Sequence, residues 1–229
     1  MKIDCIADLH GHYPKLEGGD LLIVAGDLMD INTLTEHAEF TGWLYKQKYN
    51  KKVVIAGNHD NYYTGLPGDE YIYSIYNEES GHQFSYANYL CDSGTEFKGM
   101  KIWGSPWTKA FDGMNPACKA FTCETDKELA EKWALIPDDT EILVTHGPPF
   151  SILDKVREGF NVGSVSLLQR IGQLKKLKLH VFGHIHLNGG TMLSKSCCFK
   201  GMHEPVMFVN CAHMDESYDP VNGFVSVSL

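Results

Sequence analysis

Five short apolar runs, each stopping on a side chain that can bind a metal, constrain this chain more than any other feature. Residues 2–7 lead into Asp8-Leu9-His10, and residues 21–25 into Gly26-Asp27. Residues 53–56 lead into Gly57-Asn58-His59-Asp60. Residues 142–145 lead into His146-Gly147, and residues 179–182 into Gly183-His184-Ile185-His186. Runs this short and this rich in Val, Ile and Leu read as strands covered on both faces. Helical stretches lie between them. Residues 33–48 space Leu34, His37, Ala38, Thr41, Leu44 and Tyr45 at helical intervals. Residues 125–136 open on Thr125 with Glu128 three positions on, a capping box. Residues 164–177 set Leu167, Leu168, Ile171 and Leu174 on one face. Strands alternating with helices predict an α/β layered sheet. Residues 88–107 and the tail 190–229 are more strand-like and predict further antiparallel strands, with a second sheet packed on the first as one way to place them.

In a sheet of mainly parallel strands the carboxyl ends share one rim, and ligands bind there. The five runs would therefore bring Asp8, His10, Asp27, Asn58, His146, His184 and His186 together from distant positions. Oxygen and imidazole donors without a thiolate suit manganese, iron, zinc or nickel better than copper(I) or an iron–sulfur cluster. Seven donors are too many for one tetrahedral zinc. They suit two ions if one carboxylate bridges them, and Asp27, alone after its run, is the natural bridge. Asp8 and His10, two apart, can reach one ion, while His184 and His186 can each face a different one. Two divalent ions and two aspartates leave a positive site that attracts a phosphate. Ions about 3.5–4 Å apart can hold an activated hydroxide and the phosphoryl oxygens for in-line displacement. The leaving alkoxide still needs a proton. His59, next to Asn58, is the expected general acid, with Asp60 accepting its other ring N–H and fixing the tautomer.

Composition narrows the partners. Acidic residues outnumber basic ones 29 to 20, for a formal charge of -9, which argues against a nucleic-acid partner. A chain of 229 residues with 43% hydrophobic content reads as one domain over 1–229 with its own core. Seven cysteines with no Cys-x-x-Cys pair read as free thiols in a reducing compartment. The first residues have no signal-peptide pattern, and no apolar run approaches the ~20 residues of a membrane span. The expectation is a cytoplasmic protein acting on a small phosphoester, with no membrane partner and an open oligomeric state.

Other chemistry-bearing residues read as structural. His12, His37, His82, His180, His203 and His213 are expected on the surface or in packing, with His12 and His213 nearest the motifs. Tyr62, Tyr63, Trp103 and Trp107 read as core or rim aromatics rather than a base-stacking set. Asp30 and Asp112 read as solvated loop carboxylates, and the vicinal Cys197–Cys198 as packing. The loops 62–67 and 147–163 lie beside the motifs, where lids and substrate contacts are common.

Taken in order, Asp8-Leu9-His10, Gly26-Asp27, Gly57-Asn58-His59-Asp60, Thr145-His146-Gly147 and Gly183-His184-Ile185-His186 resemble the calcineurin-like metallophosphoesterases. Trp103-Gly104-Ser105-Pro106-Trp107, His146-Gly147-Pro148-Pro149 and Phe208-Val209-Asn210-Cys211-Ala212 are similar to the branch related to class III cyclic-nucleotide phosphodiesterases. The resemblance implies a four-layer α/β/β/α sandwich with a dinuclear site at the strand carboxyl edge. It implies Asp8, His10, Asp27 and His186 around one ion, and Asp27, Asn58, His146 and His184 around the other. It implies manganese as the first choice of metal and His59 as the catalytic histidine. A phosphodiester, cyclic nucleotide or related, is the leading substrate. The alternatives are phosphomonoester or phosphoprotein hydrolysis, a DNA nuclease, and a non-catalytic scaffold, which a full ligand set speaks against.

Overall fold

The computed structural model describes residues 1–64, 87–111, 113–193 and 205–229. The predicted apolar runs all form strands, but in two sheets rather than one. β1 (Lys2–Ile6), β2 (Gly19–Ala25) and β3 (Tyr49–Ile55) run parallel in the first sheet, joined by β4 (Asn88–Tyr89). The second sheet begins with β5 (Ser93–Phe97) paired antiparallel to β6 (Met100–Ser105). A small separate pair, β7 (Thr108–Lys109) and β8 (Thr122–Cys123), follows. β9 (Ile142–Thr145) and β10 (Leu179–Phe182), the last two predicted runs, are central in the second sheet. Of the tail strands, β11 (Gly190–Leu193) and β13 (Val225–Ser228) pair antiparallel as expected. β12 (Met207–Asn210) does not; it lies parallel to β10. β4 and β6 are likewise parallel to their neighbours β3 and β9, a direction that local sequence does not encode.

Alternation along each strand builds the layers. Ile3, Cys5, Leu21, Ile23, Val53 and Ile55 point inward from the first sheet and meet Ile142, Val144, Leu179, Val181 and Val209 of the second. The opposite face of the first sheet, with Leu22, Val24 and Val54, packs on Phe40, Trp43 and Leu44 of α1 (Leu34–Lys46). The outer face of the second sheet, with Leu143, Phe182 and Phe208, packs on α2 (Asp126–Trp133) and α3 (Val165–Ile171) through Leu129, Trp133, Leu167 and Ile171. The order is thus helix, sheet, sheet, helix. Capping boxes start α1 at Thr33–Glu36 and α2 at Thr125–Glu128. α1 buries His37, Phe40, Thr41, Trp43 and Leu44 but exposes Leu34 and Tyr45, so its apolar face is rotated from the predicted one. α3 ends at Ile171, well short of the predicted 177.

At the rim the two sheets are tied together. Ala7 N donates to Cys211 O at 2.9 Å, and His213 N donates to Ala7 O at 2.9 Å. The end of β1 is thereby pinned beside the end of β12, and the strand ends of both sheets open into one crevice. Among the described residues no helix is long and apolar enough to cross a membrane. Cys5, Cys91, Cys118, Cys123 and Cys211 are free thiols, while Cys197 and Cys198 lie outside the described residues.

Candidate metal centre

Four of the motif residues leave their strands on a left-handed turn. Asp8, His10, Asp27 and His184 all have positive φ, at 54°, 41°, 51° and 68°. Non-glycine residues enter this region at a cost of roughly 1 kcal/mol each, and such strain collects at functional sites. The glycines before two ligands are required by close approach. A Cβ on Gly57 would stand 2.2 Å from Asp27 Oδ1, and one on Gly183 would stand 2.3 Å from Asp8 Oδ2.

The seven side chains named from the sequence converge. Ligand atoms of Asp8, His10 and His186 lie within 4.8 Å of one another, and so do those of Asp27, His146 and His184. A third such group, His10, Asp27 and His59, joins the first two. Asp27 Oδ2 is 3.3 Å from His146 Nε2 and 3.7 Å from His10 Nε2. His146 is oriented by its Nδ1, which contacts Ala25 O at 2.9 Å and turns Nε2 inward. His186 is oriented in the same way by Asp215 O at 2.9 Å, leaving Nε2 3.5 Å from Asp8 Oδ1. A backbone carbonyl on the far nitrogen is the usual second partner of a metal-binding histidine. Asn58 Nδ2 donates to Cys118 O at 3.1 Å, so its Oδ1 faces His146.

Electrostatics inside this cluster are sharply divided. Burial pushes the Asp8 and Asp27 carboxyls up. His186 and His146 outweigh burial for Asp8, and His146 and His10 outweigh it for Asp27, so both lie below the ordinary range. Burial opposes charge on the imidazoles too. It wins at His10, held down to about 4, and at His184, held down to about 3. At His146 the Asp27 carboxylate wins and raises the pKa to about 9, and at His186 the Asp8 carboxylate raises it to about 8. Both ring nitrogens of His10 and Nδ1 of His59 are buried without a hydrogen-bond partner. Orphaned buried nitrogens are costly in a closed protein and fit a site that receives an ion.

The expected pairing of Asp60 with His59 is not what the hydrogen bonds give. The buried Asp60 carboxylate accepts Gly57 N at 2.7 Å, Leu28 N at 2.9 Å and Met29 N at 3.1 Å. Burial and the nearby Asp27 carboxylate raise its pKa to about 8, against the pull of these amides. The short turn from Gly57 to Asp60 folds the carboxylate back beneath the loop, away from its neighbour's ring. Asp60 therefore ties the loop after β2 to the loop after β3. Asp60→Ala would strand three buried amides and is expected to cost about 3 kcal/mol or more of stability in urea unfolding. Unchanged stability with a shifted pH–rate profile would instead restore the pairing with His59.

Sequence reasoning missed Tyr218. Its ring lies 4.8 Å from His10, 5.2 Å from His186 and 6.2 Å from His59. The loop that carries it is held by Asp215, whose Oδ1 accepts Ser217 N at 2.8 Å and Asp219 N at 3.0 Å. The turn residues of Asp215-Glu216-Ser217-Tyr218-Asp219-Pro220 were the available signal, in a tail read as strands. The other described histidines do not join the cluster. His12 is exposed, and His37 meets Tyr63 Oη. His180 sits buried beside Thr145 Oγ1, and His213 packs against Asn222 O. His82, His203, Asp112 and residues 65–67 lie outside the described residues. Tyr62 stacks on His37 and Tyr63 is core, so neither reaches the site.

From the Asp/His cluster a cleft of about 1100 Å³ opens over Trp107, Trp133 and the loop 147–163. The calcineurin-like phosphoesterase family profile matches residues 1–188, the stretch that supplies the whole cluster. The chain is 32% identical over 241 residues to metallophosphoesterase domain-containing protein 1 of Homo sapiens, covering 98% of this chain and 70% of that protein. It is 32% identical to UPF0046 protein T07D4.2 of Caenorhabditis elegans, covering 97% of this chain and 58% of that protein. Among solved structures, one superposes with a TM-score of 0.62 at 12% identity, over 99% of this chain and 98% of the other. TT1561 of Thermus thermophilus superposes with a TM-score of 0.51 at 13% identity, with the same coverage. These likenesses support the fold, and the profile and relatives go further: the chain belongs to the calcineurin-like phosphoesterase family and is a phosphoester hydrolase of that family.

Proposed function

We propose that residues 1–229 form one catalytic domain that hydrolyses a phosphodiester at a dinuclear metal site. The observation that carries the reading is the sharing of one crevice by two Asp/His triads, Asp8-His10-His186 and Asp27-His146-His184. Asp8, His10, Asp27 and His186 would hold one ion, and Asp27, Asn58, His146 and His184 the other. Manganese is our first choice, with iron, zinc or nickel as alternatives, because the donors are oxygen and imidazole. Bound divalent ions would supply Lewis-acid polarisation of the phosphoryl group and a lowered water pKa.

The chain's own groups do the rest. Asp27 fixes the His59 backbone by accepting its N–H at 2.9 Å on Oδ1. That bond holds the His59 ring beside His10, with centroids 4.5 Å apart, where it can hand a proton to a leaving alkoxide. Tyr218 and His186 wall off the same side. A diester brings one negative charge and a monoester two. With Glu216 paired to Arg157, the cleft carries Glu124 and Glu158 against Lys109, which favours the diester. Free thiols support a reducing, cytoplasmic location.

The test is metal loading itself. In the metal-free protein His146 and His186 are protonated at pH 7, because their pKa values stand at about 9 and about 8. A histidine must be neutral to bind a metal, so loading is expected to release about two protons, and affinity is expected to rise with pH until about 9. Calorimetry of manganese binding in two buffers of different ionisation enthalpy measures the count, and bis(p-nitrophenyl) phosphate reports activity. Metal uptake without proton release would remove His146 and His186 from the ligand set. Full uptake without hydrolysis of any ester would favour a scaffold. The linkage also fixes a sign for the metal-free protein. Raised histidine pKa values stabilise the fold at pH 7, and that contribution is lost as pH climbs through 8 to 9.

A further inference from the structure

The cleft beside the metal cluster has a chemical character of its own. Phe111, Phe150, Val162, Val165 and Leu187 line it while remaining 36–59% exposed. Large apolar side chains left in contact with water in one concave patch mark a place where something apolar docks. Its volume of about 1100 Å³ is at the upper end of small-molecule sites, which run roughly 300–1000 Å³. A phosphate alone does not need such room. The cleft is continuous with Asp27, Asn58, His59, His184 and His186, so a group carried on a phosphorus held there can reach into it.

The charges on its wall select further. Among the described lining residues Glu124 and Glu158 stand against Lys109, while Glu216 is paired with Arg157 at 2.7 Å and 2.9 Å. A second anionic group on the substrate would meet net repulsion there. Glu216 also belongs to the loop that carries Tyr218 and contacts His186 through Asp215 O, so this part of the wall is tied to the donor cluster.

We propose that this cleft takes an apolar, uncharged ester group of the substrate, so that the preferred substrate is a phosphodiester with one aryl or alkyl arm and no further negative charge. The proposal rests on the hydrolase reading above and deepens it. The arm is seated against Phe111 and Phe150, and burial of its apolar surface supplies selectivity between esters.

The manganese-loaded protein is assayed on p-nitrophenyl diesters whose second arm is methyl, phenyl or 4-carboxyphenyl, with rates normalised to alkaline hydrolysis. The phenyl ester is expected to exceed the methyl ester in kcat/KM at least about tenfold. The added carboxylate is expected to lower kcat/KM at least about fivefold against phenyl. Combined Phe111→Ser and Phe150→Ser is expected to cut the phenyl-to-methyl ratio to about threefold or less. Should that pair not fold, Val162→Lys is expected to erase the penalty on the carboxyphenyl ester. A ratio near one in the wild type, or preference for the charged arm, overturns the proposal. So does a ratio untouched by the serine pair. If no ester is cleaved, the hydrolase reading fails by itself, and the cleft is judged by binding. Phenylphosphonate bound about tenfold more tightly than methylphosphonate supports it, and equal binding overturns it.

Discussion

Asp27→Asn is expected to lower phosphodiester turnover at least about a thousandfold, or roughly 4 kcal/mol of barrier, with the fold intact. No other side chain has as many consequences. Asp27 Oδ2 lies 3.3 Å from His146 Nε2 and 3.7 Å from His10 Nε2, one imidazole from each side of the crevice. Its Oδ1 accepts the His59 backbone N–H at 2.9 Å. It contributes to two of the three donor groups. An amide of the same shape keeps the packing but loses the charge that would hold two cations together, and it offers one acceptor in place of two. Metal content measured by mass spectrometry should fall together with turnover, while circular dichroism stays unchanged. A variant that retains two ions and near-normal turnover would show that Asp27 is not the bridge.

His59→Gln is expected to lower turnover about a hundredfold to a thousandfold on a diester with an alkyl leaving group, and by less than about tenfold on p-nitrophenyl esters. The contrast follows from chemistry. An alkoxide must be protonated as it departs, whereas p-nitrophenolate leaves without help. The His59 ring is held by its backbone bonds to Asp27 Oδ1 and, through its carbonyl, Asn32 Nδ2, and its Nδ1 has no partner in the protein. Metal content should not change, which separates this effect from that of Asp27. Equal losses on both ester types would remove the acid role and leave His59 as a binding residue.

Much of the site was legible in the sequence because its residues sit at strand ends, where a short apolar run followed by a turn is a local signal. β9 and β10 match their predicted runs residue for residue, and β1, β2 and β3 extend or trim theirs by a few positions. The start of α2 was legible for the same reason, since its capping box needs only four residues. The partition of the five strands between two sheets was not legible. Parallel pairing joins residues far apart in the chain, and nothing local distinguishes β2 beside β3 from β9 beside β10. The role of Asp60 was misjudged because adjacency in sequence does not place side chains together across a tight turn. Tyr218 was missed because its position depends on the Asp215 loop folding back over a strand end some thirty residues earlier.

By itself, then, the sequence determined the kinds of donor and the order in which they arrive, because residue type and strand ends are properties of short segments. It determined the acidic balance of the whole chain. Tertiary structure alone decided which imidazole pKa values are raised and which are lowered. That depends on His146 and His186 lying against Asp27 and Asp8 while His10 and His184 are dominated by burial. It also decided the apolar, acid-rimmed cleft, which is assembled from β7, the loop 147–163, α3 and the Tyr218 loop. The physical reason is range. Backbone preference acts over a few residues, whereas charge, burial and cavity shape are set by neighbours that only the folded chain brings within a few ångströms.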